Sequence, residues 1–198
     1  MMPKSSYLLA EAPEVDLAVA SAMAQELERY LTQDELYWTL IVRVEGRERS
    51  LKMTGGDLLT RLHRLQHMRD QLSAWQNERL DEAQKLVNEM SYSLRTRFHQ
   101  RLQREAKARL GSLRWFLDDC PADPPRCRVE FPFEMRNRQR IEEIVKVLGD
   151  ELDDELKGQL DAIDRQIRLL SRPVQFIWHK VLEPIFPRTP YWYLYIRP

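Results

Sequence analysis

The sequence predicts a mainly α-helical protein with a minor β component, built from long helices and α-hairpins with a small β-hairpin near the N-terminus. Three observations predict it. Apolar residues recur at three- and four-residue steps over most of the 198 residues. The period falls to two between Leu36 and Met53. Charged residues make up 31% of the chain while glycine numbers six, a balance that suits solvated helices better than a sheet-rich fold.

The elements follow in order. Leu17, Ala20, Met23, Ala24, Leu27 and Leu31 put one apolar face on a helix over 15–32. Trp38, Leu40, Val42 and Val44 then alternate with Thr39, Ile41 and Arg43 as a strand. Glu45-Gly46-Arg47 turns the chain, and Leu51 and Met53 share a face of the returning strand. The aromatic run 191–196 has the alternation of a third antiparallel strand that would extend this hairpin. Thr54 or Asp57 caps a long helical arm over 57–117, whose apolar stripe runs from Leu58 to Leu117. Unbroken, it would be ~90 Å long at 1.5 Å per residue. Ser73-Ala74-Trp75-Gln76 fits a capping box, so a break is expected near residue 73.

Pro121, Pro124 and Pro125 predict a loop over 118–131. Pro132 suits a helix first turn and opens an α-hairpin over 132–171. Its first helix ends at Gly149, and its second carries Leu156, Leu160, Ile163, Ile167 and Leu170 at coiled-coil-like spacing. A tail over 172–198 alternates prolines with aromatics and is expected to pack on the body. With the head at 1–56, these segments read as one structural domain.

Lys plus Arg equals Asp plus Glu at 31 each, which removes any global field toward nucleic acid or lipid head groups. Charges interrupt every apolar run, so no membrane helix is expected. Met1–Ala12 lacks the basic-then-apolar order of a signal peptide, and Cys120 and Cys127 read as two inert loop thiols, though the turn between them would let them pair. The expected location is therefore cytoplasmic.

Several groups of residues bear on chemistry. His63 and His67, four apart on a helix, with Asp70 three further on, have metal-ligand spacing, but they fall opposite the leucine stripe and lack the His-Glu-x-x-His order of a metal-assisted hydrolase. Thr54-Gly55-Gly56-Asp57 resembles a phosphate cradle only in its glycines, and a turn with a helix cap accounts for it. No nucleophile elbow, kinase loop or paired-carboxylate signature is present, so no catalytic residue and no cofactor is assigned.

Tyr92 to Leu117 carries seven Lys and Arg against one acid, and Arg97, Arg101, Arg104, Lys107 and Arg114 fall away from the apolar stripe. That face would follow phosphates or an acidic partner, or meet the protein's own acids at 150–155. Arg136, Arg138 and Arg140 form a second basic cluster, offset by Glu142 and Glu143. The expectation is a non-enzymatic helical interaction or scaffold protein that associates with itself as a homodimer or with another helical protein. A nucleic-acid accessory protein is the alternative, and a metal-dependent enzyme on His63, His67 and Asp70 comes third.

Overall fold

The computed structural model describes residues 12–44 and 46–198. The segment before Ala12, read above for targeting signals, and Glu45 of the hairpin turn lie outside the described residues. The chain forms two compact units, one up to Arg101 and the other Leu102–Pro198.

In the first unit, α1 (Pro13–Gln25) begins with proline in its first turn, where no intrahelical N–H is needed. The helix expected over 15–32 breaks at Glu26, and α2 (Leu27–Thr32) follows. β1 (Trp38–Val44) and β2 (Arg47–Met53) pair antiparallel with Trp38 opposite Met53 and Leu40 opposite Leu51. Leu40, Val42 and Val44 are buried while Thr39, Ile41 and Arg43 are exposed, the alternation that the sequence predicts. Gly46 turns the chain at φ 75°, a left-handed value that glycine adopts without a Cβ penalty. Thr54 caps α3 (Gly55–His67) by accepting from the Asp57 N–H at 3.2 Å.

The 57–117 segment is not one rod. It stops at a 3-10 turn, Arg69–Gln71, and restarts as α4 (Ala74–Ser93). The Ser73 capping box forms: Gln76 N–H donates to Ser73 Oγ at 3.3 Å, and Ser73 N–H donates to Gln76 Oε1 at 2.8 Å. A second break at Leu94, which the sequence reading lacks, separates α4 from α5 (Arg95–Asp119). α1 packs against α3, α4 and β1, burying Leu17, Ala20 and Met23 in a core with Leu58, Leu65 and Leu80.

The second unit corrects the expected loop over 118–131. Only the residues around 120–123 turn; α6 runs from Pro124 to Leu148, with Asp123 capping it through the Arg126 N–H at 3.1 Å. Pro124 falls at the helix start, where proline is well tolerated, so three nearby prolines do not make a loop.

Pro132 lies inside α6 rather than in a first turn. Its missing N–H leaves the Arg128 carbonyl without its helical donor. The Arg197 guanidinium supplies one, donating to that carbonyl from Nη2 at 2.8 Å and Nε at 3.2 Å. Cys120 and Cys127 are not free thiols. They form a disulfide with Cα atoms 5.0 Å apart, which staples the α5–α6 turn. α7 (Asp154–Leu170) follows a 3-10 turn after Gly149 and buries Leu156, Ile163 and Ile167.

The tail packs inward, but the expected third strand of the hairpin does not form. Trp192–Tyr195 is a 3-10 turn, and Ile196–Arg197 (β4) pairs with Arg172–Pro173 (β3) instead. Phe176, Phe186, Tyr191 and Tyr193 stack edge-on or tilted and are buried with Tyr195.

Candidate functional site

The structure brings the His63 and His67 rings to 4.4 Å, and His67 Nδ1 lies 2.8 Å from the His63 carbonyl. Asp70 belongs to the 3-10 turn after α3 has ended. Among the described residues no cluster of three or more His, Cys, Asp or Glu is placed to hold a metal.

At the glycine turn, the Asp57 carboxylate accepts from Arg61 Nε at 3.0 Å, so the cap is bound within the protein. The same Arg61 donates to Asp16 at 2.5 Å, and Arg64 reaches Asp16 from Nε at 2.7 Å and Nη2 at 2.9 Å. All four side chains are buried. Burial alone would lower the Arg61 pKa, but Asp57 and Asp16 outweigh it and hold the pKa above its ordinary value.

The basic face of α5 divides. Arg101 is buried, donates to the Asp34 and Glu35 carbonyls at 3.0 and 2.8 Å, and lies over the Tyr30 ring. Lys107 lies 3.9 Å from Glu155, and Gln103 donates to the Glu151 carbonyl, so part of this face meets the acids of 150–155. Arg97, Arg104 and Arg114 are exposed.

The second basic cluster is interior. Arg136, Arg138 and Arg140 are buried; Arg138 grips Asp164 at 2.7 and 3.0 Å and Glu142 at 2.8 Å, with its guanidinium over the Tyr193 ring. Nearby, Tyr191 donates to Glu143 at 2.6 Å, and Lys146 binds both. Burial and Glu143 push the Tyr191 pKa up, and burial pushes Tyr193 up as well. Arg138 is thus bound inside the second unit by Asp164 and Glu142.

What the second unit does present is a groove of about 700 Å³ between α5 and α6. Gly111, Ser112 and Trp115 line it from α5, and Glu130, Phe133 and Glu134 from α6. The two helices run antiparallel here, tied by the disulfide at one end and by Arg109 donating to Asn137 at 2.7 Å further along. Trp115 is 67% exposed and Phe133 46% exposed; Val129, one turn before Phe133, is 75% exposed.

Burial and the neighbouring Glu130 raise the Glu134 pKa, while a hydrogen bond from Asn137 works against that rise. A Cβ built on Gly111 would meet nothing within 4 Å, so packing inside the chain does not require glycine there. The sequence reading missed this groove because it made 118–131 a loop. The available signal was Asp123-Pro124, a cap followed by a first-turn proline, with Arg126, Glu130, Phe133 and Asn137 at four-three-four spacing beyond it.

No known protein family, curated protein or solved structure matches the chain. Among the described residues no helix is long and apolar enough to cross a membrane.

Proposed function

We propose that this is a non-enzymatic helical interaction protein that associates with itself. The observation that carries the reading is the cluster of exposed large apolar side chains, Trp115, Val129 and Phe133, on and beside one groove. Scattered exposed apolar residues are ordinary, whereas a cluster rimmed by charge marks a surface that another chain covers. Light scattering on the full chain at micromolar concentration tests it: a mass of two chains, free of nucleic acid and persisting in high salt, is expected. A single-chain mass would refute it.

A second reading, a nucleic-acid accessory protein, is supported by the exposed Arg97, Arg104 and Arg114. Arg101 contributes nothing to it, being engaged with the Asp34 and Glu35 carbonyls. Binding of this kind would fall steeply as salt rises. The cytoplasmic location belongs to the proposal on composition alone, and the Cys120–Cys127 disulfide argues against a reducing compartment. Thiol trapping in intact cells discriminates between them: alkylated cysteines fit the cytoplasm, and a protected pair fits an oxidising compartment.

A further inference from the structure

We infer that the α5–α6 groove binds a small organic cation with a guanidinium head and an apolar body. The Glu134 carboxylate and the Trp115 ring take the head, and the exposed part of Phe133 takes the body. The inference goes beyond self-association and does not depend on it, because every group it uses belongs to one chain.

Trp115 is the tryptophan that this chain leaves without a partner. Three of the five lie under a guanidinium of their own chain: Arg29 over Trp38 at 5.1 Å, Arg79 over Trp75 at 5.0 Å and Arg168 over Trp192 at 4.0 Å. The fourth, Trp178, stacks edge-on with Phe176 and Phe186 and donates its indole N–H to the Pro132 carbonyl at 2.7 Å. Among the described residues neither a cation, a ring nor a hydrogen-bond acceptor is set against Trp115, although it lines the groove and is 67% exposed. The face of an indole attracts a guanidinium, most strongly where binding displaces water.

The groove also holds a carboxylate without an ion pair. Glu130 is paired with Arg126 at 3.0 Å, and Arg126 meets Asp119 at 3.6 Å, so those charges are answered on the spot. Glu134 accepts one hydrogen bond, from Asn137 to Oε2 at 3.1 Å, and among the described residues no Lys, Arg or His comes within ion-pairing distance of it. Arg136 acts on it from further away and stands over the Phe133 ring at 4.1 Å. Arg109 fixes the Asn137 amide by donating to its Oδ1 at 2.7 Å, and Arg109 is itself held by Glu105 at 2.7 Å. That chain of contacts holds Oε2 and leaves Oε1 for a ligand. Burial and the neighbouring Glu130 both disfavour a lone charge on Glu134, and an arriving cation relieves both.

Size and shape narrow the class. At about 700 Å³ the groove falls within the range of small-molecule sites. A guanidinium meets a carboxylate with two parallel N–H bonds while its flat face stacks on an indole, so one head serves Glu134 and Trp115 together. An ammonium would serve the carboxylate as a point charge only.

NMR titration of the oxidised full chain tests the site, with phenethylguanidinium as probe and phenethylurea as its neutral isostere. The Trp115 indole N–H signal, assigned by its loss in Trp115→Leu, is expected to shift saturably with the guanidinium and to respond at least tenfold more weakly to the urea. Glu134→Gln keeps an acceptor for Asn137 and removes the charge; it is expected to weaken the guanidinium at least tenfold and to leave the urea unchanged. If that variant fails to fold, the comparison of the two probes on wild type decides alone. Trp75, exposed but already under Arg79, is the internal control and is expected not to shift. No saturable shift at Trp115, equal affinity for the urea, or an equal shift at Trp75 overturns the site. None of these outcomes touches self-association, which the mass of the chain in solution decides.

Discussion

Asp16 answers two guanidiniums at once, in a place water does not reach. Arg61 and Arg64 both bind its carboxylate, and Asp57 holds Arg61 from the other side. Removing one member of such a network leaves charge buried without compensation, which costs ~3–5 kcal/mol. Asp16→Ala is therefore expected to lower the stability of the first unit by that order, read as a lower denaturant midpoint. Arg101 makes a similar point about a residue that looks like a ligand-binding cation. Its two carbonyl contacts tie the chain after α2 to the start of α5, so Arg101→Ala is expected to cost ~1.5–3 kcal/mol of stability. Charge reversal at exposed Arg97 is expected to leave the midpoint unchanged, and chemical denaturation of the two variants side by side checks both.

Among the elements, those whose signals are local were legible and those repaired from a distance were not. The hairpin rests on alternation in neighbouring residues, and the break at Ser73 rests on a four-residue box. Both stand in the sequence as they stand in the structure. Ser73→Ala should cost α4 ~1 kcal/mol, measured as a shift in the unfolding midpoint. The breaks at Glu26 and Leu94 have no glycine, proline or capping box to announce them, and the apolar rhythm runs across both. Helix α6 was hidden for a different reason. Pro132 ought to interrupt a helix, and what mends it, Arg197, lies 65 residues later in the chain. Arg197→Ala is expected to cost ~1 kcal/mol, and less when Pro132→Ala supplies the helical N–H donor that proline lacks; a double-mutant cycle on thermal stability would show that coupling. The disulfide closes a short loop, so reducing it should cost ~2 kcal/mol, seen as a lower melting temperature in dithiothreitol. The groove itself was illegible as soon as half of its α6 wall was assigned to a loop.

Across the whole molecule, the second unit places its tyrosines where ionisation is costly. Tyr191, Tyr193 and Tyr195 all have pKa values above the ordinary one, with burial the first cause in each case. A phenol whose pKa is raised on folding contributes stability that is complete below the unfolded value of ~10 and is lost as pH rises through the folded value. Tyr191, Tyr193 and Tyr195, followed one by one through ring-labelled NMR signals in an alkaline titration, are therefore expected to ionise together with loss of ellipticity rather than before it. Tyrosinate forming at any of these three while the helices remain intact would contradict this.

The same tail has a consequence for biosynthesis. α6 is made well before the residues that cover it, since Glu143 waits 48 positions for Tyr191 and Arg128 waits 69 for Arg197. While those positions are still inside the ribosome, the buried face of α6 is uncovered and its carbonyl at Arg128 has no donor. The first unit, complete by Arg101, can fold during translation, whereas the second closes only after its last aromatics emerge. A nascent chain arrested before Tyr191 should accordingly hold a protease-resistant first unit and a second unit that is digested.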